Sequence, residues 1–131
     1  MGNLVTMPNT TDFQLGDLTL NLRLDGRSIL EIEKRLDEGI MGLFLKKQGE
    51  FKMPPTNCML IVLQGANKKS GVKEKDLIAA FEQYIDEGHT TMELFESIQN
   101  FLAESGFFGK DQKKEATNGE SSEEEEEESL L

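Results

Sequence analysis

Apolar and polar residues alternate near the N-terminus of the chain, over residues 18–24. Leucine occupies every second position there, which is the period of a half-buried strand. Gly16-Asp17 is a two-residue turn signal that joins a short preceding strand to this one. The pattern predicts a β-hairpin with one apolar face. Because two strands are marginally stable alone, the hairpin is expected to pack on another element.

Beyond the hairpin the apolar residues recur at helical spacing. A first helix is predicted to begin at Ser28, where Glu31 stands three residues later and completes a capping box. Its apolar positions share one face and extend to about Ile40. Residues 41–45 are apolar but lie among glycines. They are predicted either to join the core or to form a loop that closes over it.

Three further helices are predicted, over residues 57–67, 74–87 and 90–105. The first of them is apolar nearly all round, which is typical of the buried centre of a small domain, and Thr56 or Asn57 is expected to cap it. The other two are amphipathic. The short link between them predicts an antiparallel helical hairpin.

The predicted fold class is mainly α: a small helical domain of about four helices with an N-terminal β-hairpin. Residues 1–11 are predicted to be a flexible leader, residues 12–109 the folded domain, and residues 110–131 a disordered acidic tail. The tail contains a block of like charges that repels itself and cannot offset the entropy of folding. That block is Glu123, Glu124, Glu125, Glu126, Glu127 and Glu128.

Both parts of the chain are acidic. The formal net charge is −11, to which the tail contributes −6 (three Lys against nine acids) and the rest of the chain −5. Nucleic acid is therefore not expected as a partner, because its affinity comes mainly from Lys and Arg on phosphates. The charge favours either a basic protein partner or simply good solubility, and the sequence leaves both open.

Residues able to carry chemistry are few. Cys58 is the only cysteine, so no internal disulfide can form, and its apolar neighbours predict a small core residue. His89 is the only histidine and has no partner at a workable spacing for zinc or catalysis. We therefore expect no catalytic residue, no metal and no cofactor, and a protein that is not an enzyme. No apolar run is long enough to span a membrane.

The candidate partner-binding residues are bulky apolar side chains in or beside loops. Phe and Met suit an apolar contact surface because neither side chain carries a polar group that needs a hydrogen-bond partner. Two adjacent Phe at a helix end cannot both enter one core easily, so one is expected to be buried and the other half exposed. The alternative is that the pair forms a docking surface. The candidates are Met41, Phe44, Phe51, Met53, Phe107 and Phe108.

The order of these features resembles one known family. A leucine-rich hairpin leads into a helix, a Gly- and Phe-containing loop, a buried helix and a closing helical hairpin. The carrying segments are Leu18-Thr19-Leu20-Asn21-Leu22-Arg23-Leu24, Ile29-x-x-Ile32-Glu33-x-x-Leu36, Leu63-Gln64-Gly65-Ala66-Asn67 and the stretch from Asp76-Leu77-Ile78 to Leu102. The layout over residues 12–108 is similar to the tail assembly chaperones of long-tailed bacteriophages that infect Gram-positive bacteria.

The resemblance implies a function in the cytoplasm of the bacterial host. Members of that family coat the tape measure protein, keep it soluble, help to recruit tail tube (major tail) protein and are absent from the finished virion. Many also exist in a longer form made by ribosomal frameshifting. Gly109-Lys110 and Lys113-Lys114 can be encoded by runs of G and A that are suited to such slippage. The implied partners are the tape measure protein, the tail tube protein and further copies of the chain, with no nucleic acid and no membrane.

An alternative interpretation is an acidic helical protein-binding adaptor or regulator in a cellular pathway. Residues 1–6 fit the short template for N-myristoylation at Gly2. One acyl chain gives only marginal membrane binding without a second signal, and no basic patch lies near the start of the chain. Genome context separates the two interpretations.

Overall fold

The computed structural model describes residues 10–109. It confirms a mainly helical fold with an N-terminal antiparallel hairpin, and it contains five helices where about four were predicted. In chain order the elements are β1 (Thr11–Leu15), β2 (Leu18–Leu22), α1 (Gly26–Leu36), α2 (Ile40–Phe44), α3 (Thr56–Ala66), α4 (Glu74–Asp86) and α5 (Thr91–Glu104). The predicted leader up to residue 9 and the whole predicted tail, residues 110–131, lie outside the described residues.

The hairpin has the predicted turn and packs against α4. Leu15 pairs with Leu18 across the antiparallel ladder, and Gly16 has φ +58°, a conformation that favours glycine. A Cβ at Gly16 would also lie only 2.9 Å from the carbonyl oxygen of Ala80. The backbone N–H at position 17 donates to Gln83 Oε1 over 2.9 Å. The turn is therefore fixed by a direct contact with α4.

The second edge of the hairpin is covered by the chain that leaves α3. The backbone N–H of Arg23 donates to Ala66 O (2.9 Å), and that of Lys68 donates to Asn21 O (2.7 Å). These bonds satisfy backbone groups that an unpaired edge would leave open. They also tie the end of α3 to the sheet.

The predicted capping box at Ser28 is wrong. Helix α1 begins two residues earlier, and Asp25 is its N-cap, with the carboxylate accepting from Ser28 N over 2.9 Å. Glu31 is exposed and lies 3.9 Å from Arg27. Asp is at least as good an N-cap as Ser. The carboxylate of Asp25 therefore accepts the N–H of the residue three positions later, and Ser28 becomes a buried residue within the first turn.

Helix α1 also ends earlier than predicted. Asp37 adopts a left-handed conformation with φ +60° and donates its N–H to Glu33 O. The carboxylate of Glu33 then accepts the N–H of Ile40 over 2.8 Å. The chain turns between these residues and starts the short helix α2. Of the two alternatives for residues 41–45, core packing is the one found for Leu43 and Phe44, which are buried.

Helix α3 is the centre of the domain, as predicted. It contacts α1, α4, α5 and β2, and four of its residues are buried. It begins after Pro55, without a side-chain cap from Thr56 or Asn57. Gly65 lies so close to α1 that a Cβ would overlap Ile32 Cγ1. The close approach of α1 and α3 therefore requires glycine at this position.

The last two helices have the predicted limits within two residues. Gly88 has φ +100° after α4, and Thr90 Oγ1 caps α5 by accepting from Glu93 N over 3.1 Å. The Glu93 carboxylate does not complete the predicted capping box. It contacts His89 Nδ1 over 2.9 Å instead.

Candidate functional site

The structure brings three of the predicted binding residues together. The rings of Phe51 and Phe108 meet edge to face with centroids 5.3 Å apart, and those of Phe107 and Phe108 with centroids 5.4 Å apart. All three rings pack against the core on one side and remain partly exposed on the other. We call Phe51, Phe107 and Phe108 the aromatic cluster.

Local hydrogen bonds position both sides of the aromatic cluster. On one side, Leu45 and Phe51 form an antiparallel bridge, and Lys52 N donates to Phe44 O over 2.9 Å. On the other side, α5 ends in a turn where Gly106 has φ +79° and Phe107 N donates to Leu102 O over 3.1 Å. This is the pattern of a glycine-terminated helix. It folds the two adjacent Phe back towards the loop.

The two candidate methionines are exposed, whereas Phe44 is not. Met41 has 43% and Met53 39% of its surface accessible. Phe44 is fully buried and stacks on Phe95 with ring centroids 6.2 Å apart. The prediction that Phe44 is a partner-binding residue is therefore wrong. The short helix α2 turns it inward, and it serves as a core residue.

The loop beside the aromatic cluster is basic, although the chain as a whole is acidic. Residues 46–52 contain three Lys and one Glu, all exposed. Lys46 is 3.8 Å from Glu50. The segment that follows Gly109 is the acidic one. Phe51 thus belongs to a basic loop, whereas Phe107 and Phe108 stand in the sequence just before the acidic segment.

One polar cluster has the composition of a catalytic Ser–Lys pair. Lys68 Nζ donates to Ser28 Oγ over 2.7 Å and lies 3.2 Å from a carboxylate oxygen of Asp25. Ser28 is only 1% exposed, so no substrate reaches its hydroxyl. Lys68 is also held in an ion pair with the Asp25 carboxylate. The geometry makes this cluster a clamp that joins the start of α1 to the chain after α3.

The clamp gives the protein an acid-sensitive group. The backbone N–H of Ser28, and then the Ser28 hydroxyl and Lys68, hold the pKa of Asp25 well below its ordinary value of 3.8. Because the folded-state pKa lies below the unfolded one, the contribution to stability is complete above the unfolded pKa and is lost as pH falls towards the folded pKa.

Asp25→Asn is therefore expected to lower the Tm at pH 7, and by less at pH 2.5. Asn remains a good N-cap, so the variant removes the negative charge and keeps a side chain that can cap the helix. Glu31→Gln is the control, since Glu31 is exposed on the same helix. Thermal unfolding followed by circular dichroism checks this. A Tm difference for Asp25→Asn that is the same at both pH values would contradict it.

The surroundings of the single cysteine and the single histidine indicate structural roles for both. Burial, and next the charge of Glu38, raise the pKa of the Cys58 thiol, so it is a poor nucleophile at neutral pH. His89 stacks on Tyr84 with ring centroids 4.5 Å apart and contacts Glu93. Within residues 10–109 no group of three or more His, Cys, Asp or Glu side chains is placed to hold a metal ion.

A second apolar surface, on α4, was not among the predicted binding residues. Leu77 and Tyr84 are buried, but Ile78 and Ile85 are 44% and 38% exposed, with Phe81 partly exposed between them. We call Ile78, Phe81 and Ile85 the α4 stripe. The sequence held a signal for it, because five apolar positions on one helix are more than a single buried face accommodates.

The fold and these surfaces define a small, mainly helical domain with an N-terminal hairpin and two exposed apolar surfaces. No helix in the described part of the chain is long and apolar enough to cross a membrane. Residues 7–129 match DUF6096, a family of unknown function, and the chain belongs to that family. It matches no curated protein and no solved structure.

Proposed function

We propose that the chain is a phage tail assembly chaperone that binds and solubilises the tape measure protein and helps to recruit tail tube subunits. It acts without catalysis and is absent from the mature virion. The observation that supports this most is the half-exposed aromatic cluster, of which Phe107 and Phe108 stand in the sequence directly before the acidic segment. The resemblance in element order supports the same proposal.

The aromatic cluster suits an apolar helical client. Phe side chains offer large contact area at a low entropy cost, because few torsions must be fixed. Their inner sides already pack on the core, so the exposed sides are held in place before a client arrives. Exposed Met41 and Met53 add adaptable apolar surface nearby in the chain. Each contact of this size is weak, but many copies along one long client gain from multivalency.

The acidic segment has a separate role in the proposal. Its −6 charge keeps a coated client soluble and attracts basic tube subunits, with an affinity that falls as salt rises. A longer translation product that diverges near Gly109-Lys110 would keep the aromatic cluster and exchange the acidic segment for another partner surface.

Removing two members of the aromatic cluster is expected to abolish most client binding. In cells that co-express the tape measure protein, Phe51→Ala/Phe108→Ala should lower the amount that co-purifies about tenfold or more, because central aromatic anchors each contribute at least about 1–2 kcal/mol. Leu30→Ala is the matched control, since Leu30 is 71% exposed on α1. A double variant that keeps its circular dichroism spectrum and binds like the wild type would exclude the cluster as the client site.

Gene position offers an independent check. The proposal expects the gene to lie between that of the major tail protein and a very long tape measure gene, with a slippery heptamer near its 3′ end. A gene in an unrelated cellular operon, together with an acyl chain on Gly2 by mass spectrometry, would instead favour the adaptor interpretation.

A further inference from the structure

The hairpin has one edge, that of β1, with which no described strand pairs. On β2, the backbone N–H of Asn21 donates to Asn67 Oδ1 over 3.2 Å and its carbonyl accepts from Lys68 N over 2.7 Å, so both groups point away from β1. Asp12 stands opposite Asn21 in the antiparallel register, and its own N–H and C=O therefore point away from β2. The same alternation turns those of Gln14 outward. Within the described residues, these outward groups of Asp12 and Gln14 have no backbone partner.

A groove runs along this free edge, between β1 and α5. It has a volume of about 370 Å³, and a second groove of about 460 Å³ shares part of its lining at the start of β1. Residues 11–14 of β1 form one wall. The other wall is a single stripe of α5 with the spacing i, i+3, i+4 and i+7, which consists of Ser97, Asn100, Phe101 and Glu104. A strand added to a sheet lies about 4.8 Å from its neighbour, so an open groove beside a free edge is suited to one extended segment.

We propose that residues 3–7 of this chain occupy the groove as a third strand, antiparallel to β1 and joined to it by a turn at Pro8-Asn9. The chain enters β1 from the groove itself, because Thr10 lines the second groove. The added strand supplies backbone partners for the outward groups of β1, and it removes a free edge that could otherwise pair with other chains. The cross-strand pairs are Asn3 with Gln14, Leu4 with Phe13 and Val5 with Asp12.

The length of the turn gives the alternation that β1 requires. A two-residue loop makes the residues that flank it a hydrogen-bonded pair, and such pairs recur at every second residue. With Met7 and Thr10 as the flanking pair, the hydrogen-bonded residues of β1 are the even-numbered ones, which carry the outward groups. Proline suits the first central position of a turn and asparagine the second position of a type II turn, which is the order of Pro8-Asn9. Leu4 shares a face with Phe13 in this register and extends the core towards α5.

Charge and connection select this occupant. The charged residues that line the two grooves, two acids and one base, are Asp12, Arg23 and Glu104. Residues 1–9 contain no charged side chain, so they enter the groove without repulsion. Residues 110–131 carry a charge of −6, and a second copy of the chain would bring a net charge of −11 to the same edge. The connection to β1 is also short, so little chain entropy is lost when residues 3–7 pair with it.

Amide hydrogen exchange of the full chain, followed by NMR, tests the proposal. The amides of Asp12 and Gln14 should exchange about tenfold or more slowly in the wild type than in Val5→Pro, because proline removes the N–H that bonds to Asp12 and opens the added strand. Thr6→Pro is the matched control. The N–H of position 6 points away from β1, where an edge strand tolerates proline, so the protection should persist. The Phe13 amide bonds to β2 and should stay protected in all three proteins, which shows that the hairpin is intact.

A nuclear Overhauser effect between the Hα protons of Leu4 and Phe13 checks the register, because strands approach most closely at pairs that are not hydrogen-bonded. The proposal is overturned if the outward amides of β1 exchange equally fast in the wild type and in Val5→Pro, if Thr6→Pro loses protection to the same extent, or if the Leu4–Phe13 contact is absent. Protection that rises with protein concentration would show that a second copy covers the edge, which also overturns the proposal. No client is present, so the result is independent of the proposed function.

Discussion

Phe44→Ala is expected to lower the free energy of unfolding by about 3–5 kcal/mol, the usual cost of removing a fully buried Phe. Phe44 is completely inaccessible and stacks on Phe95, which joins α2 to α5. Truncation leaves a cavity between two helices and removes that aromatic contact. Urea denaturation followed by circular dichroism measures the change. A loss of this size is a large part of the stability of a domain this small.

Met41→Ala is the matched control for Phe44→Ala. Met41 lies three residues earlier on the same short helix but is exposed, so its truncation should change the free energy of unfolding by no more than about 0.5 kcal/mol. Equal effects of the two substitutions, or a decrease in the free energy of unfolding below about 1 kcal/mol for Phe44→Ala, would show that α2 does not place Phe44 in the core.

Gly65→Ala is expected to destabilise the protein by about 1–3 kcal/mol, as overpacking of a well-filled contact does. A Gly→Ala substitution inside a helix usually stabilises a protein, because Ala is favoured over Gly there by about 1 kcal/mol. The change in stability expected at Gly65 has the opposite sign. The added Cβ would overlap Ile32 Cγ1 and lie 3.0 Å from Ile32 Cδ1. Ile32 is fully buried and cannot move aside without displacing α1. Thermal or urea unfolding measures the effect.

Two further variants test whether steric overlap of the added Cβ with Ile32 causes the destabilisation by Gly65→Ala. Gly42→Ala should be neutral or stabilising, because a Cβ at this helical glycine has nothing within 4 Å. In an Ile32→Ala background, which removes the opposing side chain, Gly65→Ala should lose most of its cost, so that a double-mutant cycle shows strong coupling. Additive effects of the two substitutions would mean that α1 and α3 are not in close contact at this point.

Much of the fold could be predicted from local signals. The hairpin followed from alternating leucines and Gly16-Asp17, and the limits of α4 and α5 followed from Gly88 and Thr90, because turns and caps depend on residues close in sequence. The start of α1 could not be chosen correctly in the same way. Asp25 and Ser28 are both good N-caps, and the side chain that contacts both of them, Lys68, is distant in sequence.

The candidate site was less predictable, for a physical reason. Residue type showed which side chains are bulky and apolar, but their exposure depends on the tertiary arrangement. Phe44 and Phe51 are alike in the sequence, yet one is in the core and the other is at the surface. Phe51 and Phe108 meet only because the loop after α2 and the end of α5 fold onto each other. The α4 stripe was visible as excess apolar residues, but its exposed half could not be separated from its buried half.

The most direct test of the proposed function is co-expression of the full chain with the tape measure protein encoded beside it, with the soluble fraction of the tape measure protein measured with and without the chain. The proposal predicts that the tape measure protein is largely insoluble alone, and that it becomes soluble and co-purifies with several copies of the chain. A tape measure protein that stays insoluble, with no complex recovered, would contradict it.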